Sequence, residues 1–86
     1  MAVSAEVGIR RSGVRPFRVQ VFDISPKGCK VEVVERPAIG ERVWIKFDTL
    51  EAVEASVRWT AGHICGVEFT RPLHEAVFER LIKAAQ

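Results

Sequence analysis

Long apolar runs are missing from these 86 residues, so no segment can cross a bilayer as a helix, and the opening Met1-Ala2-Val3-Ser4-Ala5-Glu6 has none of the features of a secretory leader. The expected location is the cytoplasm, with no membrane partner. Cysteine is scarce. Cys29 and Cys65 make neither a metal-binding spacing nor a secreted disulfide framework, and on inward rows of strands they read as small buried hydrophobes. Charge of one sign is not in excess: a formal net charge of +2 is too small to name a nucleic-acid partner. His63 and His74 have no Asp or Cys at ligand spacing, so no metal is expected. There is no Ser/His/Asp order, no pair of carboxylates in a cleft pattern and no glycine-rich phosphate loop, and Glu51 with Glu54, like Glu75 with Glu79, reads as a solvated face. The expectation is a chain that is not an enzyme and carries no cofactor. Internal repeats, low-complexity stretches and linkers are also absent, which leaves one domain over residues 1–86.

What is present is enough to build a core: 48% of residues are hydrophobic and 28% charged. Apolar and polar residues alternate, the period of a half-buried strand, over about 3–10, 16–24, 28–35, 41–47, 52–60 and 64–70. Arg11-Ser12-Gly13-Val14, Pro37-Ala38-Ile39-Gly40, Asp48-Thr49-Leu50-Glu51 and Ala61-Gly62-His63 punctuate them. The period then changes: Leu73, Val77, Leu81 and Ala84, widened by Phe78 and Ile82, recur at helical spacing over about 73–85. Pro72 suits a first turn, and Glu75 and Lys83 suit the two ends of the helix dipole. Short, evenly punctuated strands favour a closed antiparallel barrel, so the expected fold is mainly β, a six-stranded antiparallel barrel with a C-terminal helix across one opening or one side.

Between the second and third strands lies Asp23-Ile24-Ser25-Pro26-Lys27-Gly28. Asp and Ser side chains can bond the amides just ahead of them, Pro fixes one dihedral and Gly28 permits a positive φ, so the stretch is a well-made turn. Set between two alternating strands it resembles the Asp-x-Ser-x-x-Gly signature of PilZ domains, bacterial modules that bind cyclic di-GMP. Val57-Arg58-Trp59 resembles that family's strand ending in apolar-x-Trp, and Gly66-Val67-Glu68-Phe69 its Gly-Val-x-Phe strand. The resemblance covers nearly the whole chain and implies the same barrel. It also implies a ligand wall of Asp23, accepting from a guanine N–H edge, Ser25, adding a hydroxyl, and Gly28, letting the backbone come close.

The other half of the family's ligand signature is Arg-x-x-x-Arg, whose guanidinium forks suit phosphate oxygens or guanine O6 and N7. Arg11-Ser12-Gly13-Val14-Arg15 matches the pattern, beside Arg10. The family, however, places a full hairpin between this pair and the turn, and here a single strand separates Arg15 from Asp23. With a strand over 3–10, Arg11 and Arg15 fall at the tip of the first hairpin, on the order of 20 Å from Ser25. The family's arginine loop would then lie ahead of Met1. The alternative is an amino-terminal arm that brings Arg10, Arg11 and Arg15 to the site through a rearranged strand order.

Alternation turns Trp44 outward beside Arg42 and Lys46, as an anchor for a partner, unless the terminal helix covers it; it places Trp59 on an inward row, in the core. Three functions stay open. The first is a cyclic di-GMP-binding signalling module that changes its surface for a downstream protein. The second is a ligand-free PilZ-type module working by protein contacts. The third is a small nucleic-acid-binding barrel, motivated by Arg10, Arg11, Arg15, Arg18 and Lys27; it is placed last, because rows of exposed aromatics are missing.

Overall fold

The alternation in the sequence closes on itself in space. In the computed structural model, which describes residues 2–33, 35–47 and 50–85, six strands form one antiparallel barrel. They are β1 (Ala2–Arg11), β2 (Phe17–Ser25), β3 (Gly28–Glu32), β4 (Arg42–Lys46), β5 (Val53–Ala61) and β6 (Ile64–Phe69), followed by helix α1 (Glu75–Ala85). Val34, inside the expected third strand, and Asp48 and Thr49 of an expected connection lie outside the described residues, as does the side chain of Ala84. Around the barrel the order is β1-β2-β3-β6-β5-β4, with β4 pairing back to β1, so no strand of this ring is left as an open edge. β1 lies three places from β6 in either direction.

Inward residues of all six strands fill the barrel. Val19, Val21, Val31, Ile45 and Val57 are essentially inaccessible, and Phe47 meets Phe69 edge to face with centroids 6.3 Å apart. α1 brings Leu81 and Ile82 onto this core, with Phe78 beside them. It packs most closely on β1. The helix starts two residues later than the apolar spacing suggests, and the N–H of Leu73 just ahead of it donates to the carbonyl of Pro26, 2.7 Å away. His74 then acts as the cap: its Nδ1 accepts from the Ala76 N–H at 3.2 Å, while its carbonyl accepts from Phe78.

Register shifts interrupt the pairing at three places, in β1 between Ala2 and Ala5, in β2 and in β5, and the last two bear on the site. In β2 the pairing passes from Val21↔Val31 to Asp23↔Lys30, leaving Phe22 as the extra residue. In β5 it passes from Val57↔Val67 to Trp59↔Gly66, leaving Arg58 extra. A bulge of this kind resets which side of the sheet the next residue faces. Strict alternation puts Trp59 in the core with Val53, Ala55 and Val57. That expectation is corrected: the bulge turns the indole to the outer surface, where it is 40% exposed.

Candidate functional site

The Ser25–Gly28 turn joins β2 to β3 through only Pro26 and Lys27, with Ser25 and Gly28 as the closing pair. Ser25 Oγ accepts from the Lys27 N–H at 3.2 Å and donates to the Gly28 carbonyl at 3.4 Å. The two turn carbonyls are used by the far end of the chain: Lys27 C=O accepts from the Phe69 N–H and Pro26 C=O from the Leu73 N–H, both at 2.7 Å. Gly28 is needed for a different reason from the one its place in a turn suggests. The positive-φ glycines are Gly13, Gly40 and Gly62, whereas at Gly28 a Cβ would lie 2.1 Å from the carbonyl oxygen of Val67. Close approach of backbone, not handedness, requires glycine there.

From this turn a row of residues runs sideways across four strands. Asp23 pairs with Lys30, Lys30 with Gly66, and Gly66 with Trp59. The Lys30 ammonium stands 3.8 Å from the Asp23 carboxylate, a solvent-exposed pair that water and salt screen. The Trp59 indole occupies the space a side chain on Gly66 would need, with Nε1 2.1 Å and Cε2 2.3 Å from the position of such a Cβ. Asp23, Ser25, Gly28, Lys30, Trp59 and Gly66 line one open concavity of about 240 Å³. It offers a carboxylate acceptor, a hydroxyl, a cation and an aromatic surface within one shallow depression. Both bulges are needed for it, since they turn Asp23 and Trp59 to the same outer surface.

Lys30, Gly66 and Trp59 were not among the site residues expected from sequence, although a signal for the last two exists. The two-residue Gly62-His63 turn sets Ala61 opposite Ile64 and Thr60 opposite Cys65, and so carries Trp59 opposite Gly66. A lone glycine inside a strand facing a large aromatic marks a close approach.

The arginines are elsewhere. β1 pairs Ala2 with Asp23 and Ile9 with Phe17, so Arg11 lies about nine strand residues from the site end of β1, roughly 30 Å along it at ~3.3 Å per residue. That is comparable to the 31 Å long axis of the molecule. Arg11 points into the opposite barrel mouth and forks onto Glu41, with Nε 2.5 Å from Oε2 and Nη2 3.0 Å from Oε1. Glu35 is 3.8 Å away. The loop before β4 holds Glu41 in place through Gly40 N–H to Val57 C=O at 2.7 Å and Val57 N–H to Glu41 C=O at 2.9 Å. This fork holds the Glu41 carboxyl below its ordinary pKa and the Arg11 guanidinium above its own. Arg10 stacks over Trp44, 4.2 Å from the ring centroid, and Arg15 is exposed in the β1–β2 loop. The strand order is not rearranged, and none of the three is brought to Asp23 and Ser25. Trp44 is outward and half-buried, and it is Arg10 that covers its ring.

Cys29 and Cys65 are buried free thiols, and burial is the first cause that pushes them up to about 12 and about 11. Among the described residues no group of His, Cys, Asp and Glu is arranged to hold a metal, and no helix is long and apolar enough to cross a membrane.

No curated protein matches the sequence. The family model of the PilZ domain matches residues 1–85, which takes in the barrel, the Ser25–Gly28 turn and the helix to its last turn, and the chain belongs to the PilZ domain family.

Proposed function

We propose that this barrel is a signalling module that binds cyclic di-GMP on the Asp23–Trp59 row and passes the event to a downstream protein. The observation that carries the reading is the gathering of Asp23, Ser25, Lys30 and Trp59 around one concavity. Each group has a purine-nucleotide task. The Asp23 carboxylate accepts from the N–H edge of a guanine, Ser25 adds a hydroxyl, and the Trp59 indole offers a face for stacking. Lys30, with Lys27 on the exposed turn, supplies positive charge for phosphate. The concavity is smaller than the ~300 Å³ at which pockets for whole small molecules begin, so one guanine half is seated while the other lies across the surface. Arg10, Arg11 and Arg15 have no part in this binding mode. The route outward is the turn itself, whose Pro26 carbonyl holds Leu73 immediately before α1.

A second reading, a ligand-free module working by protein contacts, is favoured by one observation: the Arg11 guanidinium, which the family pattern assigns to the ligand, is committed to Glu41 at the far mouth. Calorimetric titration with cyclic di-GMP decides between the two. Saturable heat that is lost in Ser25→Ala and Trp59→Ala but kept in Arg11→Met supports the receptor. Absence of heat and of any thermal shift at millimolar ligand leaves the protein-contact module.

A further inference from the structure

We infer that the outer face of β4, β1 and β2 is a docking surface for an acidic protein segment. This face is centred on β1, across the barrel from β6; it shares β2 with the Asp23–Trp59 row but uses Arg18 and Gln20 of that strand and not Asp23, so it is a different set of side chains.

The outward residues of the three strands make it basic. β4 contributes Arg42, Trp44 and Lys46; β1 contributes Ser4, Glu6, Gly8 and Arg10; β2 contributes Arg18 and Gln20. Among the described residues, four cations and one carboxylate lie on this face, with Glu54 at its border beside Arg42, in a chain whose overall formal charge is only +2. Cross-strand register gathers them. Gly8 lies between Arg18 and Lys46, and Arg10 lies against Trp44. Gly8 has no side chain of its own to stand between its two cross-strand neighbours. The Lys46 ammonium donates to the carbonyls of Phe47 and Leu50, and Arg10 lies on a ring, so neither of these contacts sets a carboxylate against the cation.

The Arg10–Trp44 stack supplies the second element of a protein interface. Tryptophan and arginine are the residue types that most often carry binding energy, and here the ring is already ordered by the cation above it. The same stack argues against nucleic acid, since the ring face a base would need is occupied by Arg10. The border argues the same way. Glu54, which pairs with Trp44 from β5 and stands 3.7 Å from Arg42, closes one side, and Glu6 interrupts the other. A phosphate chain running past the patch would meet both carboxylates. A short segment of Asp and Glu ending within it would not, and charge complementarity over a bounded patch is how protein partners gain orientation and association rate.

The test is fluorescence polarisation of a labelled poly-glutamate peptide at low salt, with labelled oligothymidylate of equal charge in parallel. The full chain is compared with Arg10→Glu/Arg18→Glu, Trp44→Ala and, on the solvent face of α1, Lys83→Glu. Circular dichroism establishes that each variant is folded. The expected result is salt-sensitive binding of poly-glutamate, weakened at least tenfold in the double variant and severalfold in Trp44→Ala, and unchanged in Lys83→Glu. Three results overturn the inference: no binding of poly-glutamate, equal binding by all variants, or tighter binding of oligothymidylate lost in the same variants.

Discussion

The Trp59 indole rests on Gly66, filling the volume that any side chain there would occupy, and this pairing holds an exposed aromatic beside Lys30 and Asp23. Gly66→Ala is therefore expected to drive the ring off the strand. Because the ring is 40% exposed and can swing outward, the stability loss should be modest, about 1 kcal/mol. Tryptophan emission should shift to the red, and cyclic di-GMP binding should fall as it does in Trp59→Ala. An unchanged spectrum would mean that the ring is not seated on Gly66.

Gly28 meets backbone instead of a movable side chain. Gly28→Ala would set its Cβ against the Val67 carbonyl and force β3 away from β6 at the Gly28↔Glu68 pair. A loss of about 2–3 kcal/mol is expected from urea denaturation, larger than for Gly66→Ala. The reverse order would contradict the difference between a backbone and a side-chain obstacle.

At the opposite mouth, Arg11→Met strands Glu41 and should cost about 1 kcal/mol, some 4–8 °C in Tm, with no change in cyclic di-GMP affinity. The pH dependence has a definite sign. The folded Glu41 carboxyl titrates below its ordinary 4.5, first because Arg11 hydrogen-bonds it, so its contribution is complete above about pH 4.5 and is lost as the pH falls through the lower folded value. The Tm gap between wild type and Arg11→Met should narrow from pH 7 to pH 3. A gap independent of pH would place the effect of Arg11 in its packing.

Cys29 and Cys65 are 6% and 1% exposed and are pushed up to about 12 and about 11, so they should not react with a thiol reagent at pH 8 in the folded protein. Both should react at once in 6 M urea. Rapid labelling under native conditions would mean that β3 and β6 open locally.

If ligand seats on the turn, the amides of Phe69 and Leu73, which donate to Lys27 and Pro26, should gain hydrogen-exchange protection when cyclic di-GMP is added. Binding without added protection would separate recognition at the turn from any effect on α1.

Period and punctuation in the sequence determined the six strands, the terminal helix and the barrel class, because a strand that buries one face must alternate and a closed ring of short strands leaves no edge. The same reasoning placed Arg11 at the tip of the first hairpin, away from Ser25: a continuous β1 leaves no other position for it. Tertiary structure decided where alternation stops. A bulge depends on which partner residue lies opposite, and no count along one strand reveals that Phe22 and Arg58 are extra. Those two insertions turn Asp23 and Trp59 to one surface and assemble the site. The need for glycine at 28 was likewise decided only in space, by the Val67 carbonyl, brought close by pairing between strands far apart in the chain, whereas the short Gly62-His63 turn already set Trp59 opposite Gly66.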